Sequence, residues 1–154
     1  MLFRSVFVSS DAQLLRFDAA SVRPQGRAAG GMAGIRLSPG AQAISFNVVP
    51  GSDAADAVVV TVAGSTQALA GTDAGSAKVS AFDEFPAKGR ATGGVRAQRF
   101  LRGEDTLAMA WVGVEARAVG PDGAARLLPP AGAKRDASGT PLDGVVGAIG
   151  TTVR

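Results

Sequence analysis

Histidine, cysteine and tyrosine are absent from the 154 residues of this chain. Without histidine there is no side chain that ordinarily exchanges protons near neutral pH, and the commonest transition-metal ligand is gone. Without cysteine there are no disulfides, no thiolate nucleophile and no thiolate metal site. Without tyrosine there is no tyrosyl covalent chemistry. Aromatic residues make up 5% of the chain, seven Phe and one Trp. No apolar run approaches the roughly 20 residues of a membrane-spanning helix, and the start, Met1-Leu2-Phe3-Arg4, has no long apolar stretch behind it to read as a signal peptide. No Gly-x-Ser-x-Gly elbow, Gly-Lys-Ser/Thr phosphate loop or strand-linked Gly-x-Gly-x-x-Gly occurs. The chain is expected to carry no catalytic activity of its own, to use no cofactor and to hold no metal.

What is present is apolar and basic. The hydrophobic fraction is 46%, enough for a real core in one domain. Lys and Arg total 16 against 13 acids, a net charge of +3. The pI is near 10.2. Arginine dominates the positive side, and its planar fork suits phosphate contacts, so the balance fits a polyanionic partner. The lack of cysteine fits a reducing compartment.

One short pattern recurs three times: Arg27-Ala-Ala-Gly-Gly31, Arg90-Ala-Thr-Gly-Gly94 and Arg135-Asp-Ala-Ser-Gly139. The first two arginines stand 63 residues apart and the last two 45 apart. Gly40 and Gly103 keep the first offset. A repeat of this size indicates a modular strand-built architecture.

The strand pattern agrees. Leu2–Ser9 and Leu14–Phe17 read as a hairpin about Asp11-Ala12-Gln13. Arg23-Pro24-Gln25-Gly26-Arg27 opens a loop, Ser38-Pro39-Gly40 is a turn, and Ala43–Val49 is a strand with Ile44, Phe46 and Val48 on one face. Pro50-Gly51-Ser52-Asp53 closes the unit. Val58–Val62 reads as a strand buried on both faces, followed by a long mobile loop over Ala63–Ser76, a strand over Lys78–Phe82, and a second basic loop, Phe85–Arg90. Val95–Leu101 and Leu107–Val114 are strands around the turn Arg102–Asp105. Glu115–Val119 is a strand, Gly120-Pro121-Asp122-Gly123 a turn, Lys134–Pro141 the third basic loop and Val145–Val153 a closing strand. The expected units are blade one at about 1–52, blade two at about 53–114 and blade three at about 115–154.

With its strand, Leu-x-Arg-Phe, basic Gly-Arg loop, Gly-Gly-hydrophobic step and closing strand, the unit resembles the C-terminal repeat of the A subunits of bacterial type IIA DNA topoisomerases, namely DNA gyrase and topoisomerase IV. Leu14–Leu37, Phe85–Trp111 and Lys134–Gly150 carry the resemblance. It implies an all-β, partial β-pinwheel, a propeller-like disc whose blades exchange strands, here about three blades of roughly four strands. Full discs in the family have about five or six blades. It also implies bending of duplex DNA on a basic rim. The partners it implies are the remainder of the topoisomerase polypeptide and the ATPase B subunit of an ATP-dependent enzyme. The place it implies is cytoplasmic and nucleoid-associated in a bacterium, with no membrane contact. The cleavage tyrosine of such enzymes lies in another domain. The Gln-Arg-Arg-Gly-Gly-Lys-Gly box of gyrase has only a partial counterpart in Lys88–Gly94, which points away from tight wrapping.

The candidate DNA-binding residues are Arg23, Arg27, Arg36, Lys88, Arg90, Arg96, Arg99, Arg102, Lys134 and Arg135. For the repeated Arg27, Arg90 and Arg135 two readings stand side by side: phosphate contacts at equivalent rim positions, or caps on strand-end carbonyls that hold adjacent blades together. Phe17, Phe82, Phe100 and Trp111 are expected to fill blade cores. Glu104-Asp105 reads as a turn, and Asp83-Glu84 as a partner for Lys88 or Arg90. An alternative function is a propeller fragment that grips an acidic protein, and a third is a purely structural β-domain. A three-blade segment leaves open edges through which copies could associate.

Overall fold

The computed structural model describes residues 2–69 and 71–151. It is built from eleven short strands in three antiparallel sheets, with two single-turn 3-10 helices at Ala19–Ser21 and Phe82–Glu84. The first sheet contains β1 (Phe3–Ser9), β2 (Gln13–Asp18) and β3 (Ala43–Pro50), with β6 (Val95–Arg96) from the next unit added beside β2. The second contains β4 (Val58–Gly64), β5 (Ser76–Ala81) and β7 (Thr106–Gly113), with β10 (Thr140–Pro141) added beside β5. The third has β8 (Arg117–Val119), β9 (Ala125–Arg126) and β11 (Ala148–Gly150) and, among the described residues, no added strand. Each of the first two sheets is thus completed by the unit that follows it, the strand exchange of a pinwheel.

The hairpins form where the sequence offers turns. Ala12 takes φ +62 between β1 and β2, and its N–H donates to Ser9 O at 3.1 Å. In the third unit Gly123, at φ +78, donates to Gly120 O at 2.9 Å. The turns at Gly40 and Gly103 match: φ is +80 and +89, and Ala41 N donates to Ser38 O as Glu104 N does to Leu101 O, both at 3.0 Å. β4 is buried on both faces from Val59 to Gly64, which suits a valine-rich run broken only by Thr61. The core between the first two sheets holds Val6, Val8, Leu14 and Val49 against Val59, Phe82, Phe85, Leu107 and Val112.

Several sequence expectations shift. Phe46 and Val48 share a face of β3 and are 54% and 50% exposed, so that face points away from the core, whereas Ile44, at the register shift opposite Val8 and Ser9, packs against the core. Ser45, Asn47 and Val49 occupy the inner side, where Asn47 Oδ1 accepts the Val112 N–H at 3.1 Å. Val95–Leu101 pairs as a strand only over Val95–Arg96. The chain then leaves β2, and Arg99 N donates to Ala137 O at 3.0 Å instead. The last strand covers Ala148–Gly150, and residues 152–154 lie outside the described residues. The connection between β4 and β5 is tethered: Asp73 Oδ2 accepts from Ser65 N at 3.2 Å, and Asp105 accepts from Thr66 N at 2.8 Å and Thr66 Oγ1 at 2.5 Å. Phe82 and Phe17 are buried, whereas Phe100 and Trp111 are half-buried.

Candidate nucleic-acid interface

The two contacts between successive units are built from the same atoms. At the first junction Lys88 N donates to Arg16 O at 3.0 Å, Ala97 N to Ala12 O at 2.8 Å, and Arg36 N to Thr92 O at 3.0 Å. Arg90 Nη1 donates to Ala33 O at 2.6 Å. At the second, Ala133 N donates to Val79 O at 3.2 Å, Leu142 N to Gly75 O at 2.9 Å, and Arg99 N to Ala137 O at 3.0 Å. Arg135 Nη1 donates to Arg96 O at 2.9 Å. The sequence offsets of 63 on one side and 45 on the other carry each of these four bonds at the first junction onto its counterpart in the second, while Ala91 N adds a bond to Gly34 O at 2.7 Å at the first.

The repeated glycine belongs to the same device. Gly94 has φ +77, and a Cβ there would strike the Leu14 carbonyl of the preceding unit. At Gly139 a Cβ would sit 2.6 Å from Ser76 Oγ and Gln98 Nε2. Only a residue without a side chain lets the exchanged strand come this close.

These junctions gather cations. Arg36, Lys88 and Arg90 meet at the first, and Arg96, Arg99, Lys134 and Arg135 at the second. Arg23 and Arg27 lie on the corresponding loop of the first unit, and Arg102 stands apart on the turn before β7. Eight of the ten candidates are exposed, while Arg90 and Arg135 are half-buried because each spends part of its fork on a neighbour's carbonyl. Lys88 Nζ reaches Gly94 O at 3.3 Å. The ion pairs among the described residues are Arg4–Asp18 at 3.6 Å and Asp122–Arg126 at 3.1 Å, so Asp83 and Glu84 do not neutralise Lys88 or Arg90 as the sequence suggested.

One buried and one half-buried cation were not singled out by the sequence. Lys78 is 2% exposed and extends from β5 to donate to Lys134 O at 3.0 Å and to Arg135 O, pinning the third basic loop. Burial pulls its pKa down to about 8, against the attraction of Asp136. Arg16 lies 4.4 Å over the Phe82 ring, and burial lowers its pKa while Asp83 opposes the shift. Both looked like ordinary strand cations, because only the packed neighbours reveal their role. The acidic turn is used internally. Glu104 accepts from Leu101 N at 2.7 Å and from Ser76 Oγ at 2.6 Å, and Ser76 Oγ in turn accepts from buried Gln98 at 3.3 Å.

A groove of 510 Å³ near the third sheet is lined by aliphatic residues such as Val58, Val79, Ala118 and Leu128, together with Glu115, Arg117 and Arg126. No helix of the described residues is long and apolar enough to cross a membrane.

Comparison with known proteins agrees with this architecture. The chain matches the family described as DNA gyrase C-terminal domain, beta-propeller, over residues 6–50 and 67–110. It is 31% identical over 105 residues to a protein named topoisomerase subunit TopoM of Mycolicibacterium smegmatis, an alignment covering 68% of this chain and 13% of that protein. Among solved structures, the C-terminal domain of DNA topoisomerase IV superposes with a TM-score of 0.72 at 18% identity, over 95% of this chain and 45% of that one. The E. coli ParC C-terminal domain gives 0.69 at 17% identity, over 96% of this chain and 59% of that one. The DNA gyrase A C-terminal domain gives 0.62 at 17% identity, over 90% and 42%. The chain thus spans a small part of the curated relative and roughly half of each solved domain.

Proposed function

The chain belongs to the DNA gyrase C-terminal β-propeller family, and from that membership we propose that it binds duplex DNA without sequence preference and bends it across successive unit junctions. The observation that carries this reading is the grouping of cations at two equivalent junctions, exposed Arg36 and Lys88 with half-buried Arg90 at one and exposed Arg96, Arg99 and Lys134 with half-buried Arg135 at the next. Charge repeated at structurally equivalent corners meets a polymer whose phosphates also repeat, and no recognition helix is present among the described residues to read base edges. The mechanism is electrostatic: counterions leave the phosphates that the arginines and lysines neutralise, and the curvature of the protein is impressed on the duplex at the expense of contact energy.

On this reading the domain hands duplex DNA to a cleavage domain elsewhere in a type IIA topoisomerase, in concert with an ATPase partner, in the nucleoid of a bacterial cytoplasm. The name of the mycobacterial relative supports that setting. Chemistry in this chain is not required.

Fluorescence anisotropy with a short labelled duplex at several salt concentrations tests the proposal. The logarithm of affinity is expected to fall linearly with the logarithm of salt, about 0.9 per phosphate contacted, for roughly 4–8 contacts. Duplexes of different sequence should give the same slope. A slope near zero rejects DNA binding and leaves an acidic protein as the partner for the basic loops.

A further inference from the structure

The first unit carries one complete half of the unit-to-unit junction with nothing opposite it. Counting back 63 residues from Lys88 N, Arg90, Thr92 O and Ala97 N leads to Gln25 N, Arg27, Ala29 O and Gly34 N. None of these four groups holds a hydrogen bond or ion pair among the described residues. Gly31, at φ +83, has the conformation of Gly94, but a Cβ there would meet nothing within 4 Å, because the carbonyl that crowds Gly94 has no counterpart. Met32 and Ala33 stand where Val95 and Arg96 form β6, yet no strand among the described residues pairs with them.

The sheet face tells the same story. Both sheets carry a register shift at the same place, between Val8 and Ser9 in β1 and between Val62 and Ala63 in β4. Aligning the shifts matches Phe7 with Thr61, Phe46 with Ala110 and Val48 with Val112. In the second sheet Thr61 and Val112 are buried against the first unit, at 0% and 3% exposure. In the first sheet Phe46 and Val48 are open, beside Phe7 at a ring distance of 4.8 Å for Phe46. A face used for unit packing elsewhere in the chain is open here at Phe46 and Val48, while Leu15 and Phe17 on the same side are buried.

The opposite end offers what is missing. β6 pairs with Gln13 and Leu14, and β10 with Ser76 and Ala77, in each case the two residues that follow a hairpin turn. Ala125 and Arg126 of β9 follow the turn at 120–124 in the same way, and no strand among the described residues covers their outer edge.

We propose that a second copy of this chain fills the gap: residues 25–34 of each copy dock on the β9 edge of the other, head to tail, and two-fold symmetry closes the pair into one disc. The contact continues a junction that the chain already makes twice internally, so its chemistry is specified atom by atom. A head-to-tail contact that closes leaves no edge for further growth. The inference stands apart from DNA binding and is tested without DNA.

Light scattering on the 154-residue chain, from low to high micromolar concentration, is expected to show a monomer–dimer equilibrium with no larger species. Arg27→Glu removes the charge-assisted bond at both junctions and is expected to weaken the dimer about a hundredfold, roughly tenfold per junction. Its monomer should melt at the wild-type temperature, because Arg27 is exposed and makes no hydrogen bond or ion pair among the described residues. The chain contains no cysteine, so Ala33→Cys combined with Ala125→Cys should yield a disulfide-linked dimer on oxidation, and neither single variant should cross-link. A monomer at every concentration overturns the proposal. So does a dimer indifferent to Arg27→Glu, an open-ended ladder of oligomers, or cross-linking by Ala33→Cys alone.

Discussion

Lys78 is the residue whose protonation the fold constrains most. Its folded pKa of about 8 lies below its ordinary value of 10.5. Between those two values the unfolded chain holds a proton that the folded chain has released, so stability rises with pH across that window. The gain is on the order of 3 kcal/mol from pH 8 to above 10, at about 1.4 kcal/mol per unit. Guanidinium denaturation of the wild type and Lys78→Met at pH 7.5 and pH 10 should show this rise in the wild type and its loss in the variant. Gly94 and Gly31 make a second comparison at this scale. Gly94→Ala combines positive-φ strain with a clash on the Leu14 carbonyl and should cost about 2–4 kcal/mol, whereas Gly31→Ala bears the backbone strain alone, about 1 kcal/mol. Thermal melts of the two variants check the difference.

At the scale of elements, the strand order followed from residue pattern where one face or both are buried, as in the apolar run of β4 and the turn at Gly120–Gly123. The pattern could not say which side of β3 meets the core. Phe46 and Val48 alternate correctly, but burial falls to Ser45, Asn47 and Val49, because Asn47 has a main-chain donor to satisfy on β7. Likewise β6 stops after two residues, and beyond Ala97, which still donates to Ala12 O, the bonding passes at Arg99 to the next unit, a partner that local sequence does not name. The three arginines were legible as equivalent positions, yet two uses remained open for them. Arg90 and Arg135 each hold a neighbouring carbonyl, the capping role. Arg90→Ala should therefore lower both melting temperature and DNA affinity, by about 1–2 kcal/mol of stability. Arg36→Ala should leave the melt unchanged and only reduce the salt slope, by about 0.9 if its side chain meets one phosphate. Measuring both quantities on both variants separates the roles.

For the molecule as a whole, fold and family were visible in the sequence because Arg and Gly recur at fixed offsets and the chain has no helical periodicity to compete with strands. Lys78, Arg16 and the Gln98–Ser76–Glu104 chain of hydrogen bonds were not visible, since each is defined by neighbours far away along the backbone. The units also differ in stability. The third sheet has three short strands and few buried side chains, with Ala118 and Val146 the buried apolar ones among the described residues of that unit. Its amides are expected to exchange with deuterium well before those of β4 and β5, a difference that hydrogen-exchange mass spectrometry resolves.

Most of the bonds at each junction join main chain to main chain, and this bears on how such a domain can change over time. Replacing a side chain does not delete a peptide N–H or carbonyl unless proline arrives, so lineages can drift widely at these loops without losing the seam. The side chains on which the seam does depend are the guanidinium that clamps and the glycine that makes room. A likeness of shape at 18% identity is then the natural outcome of an assembly specified by the polypeptide backbone rather than by its decorations.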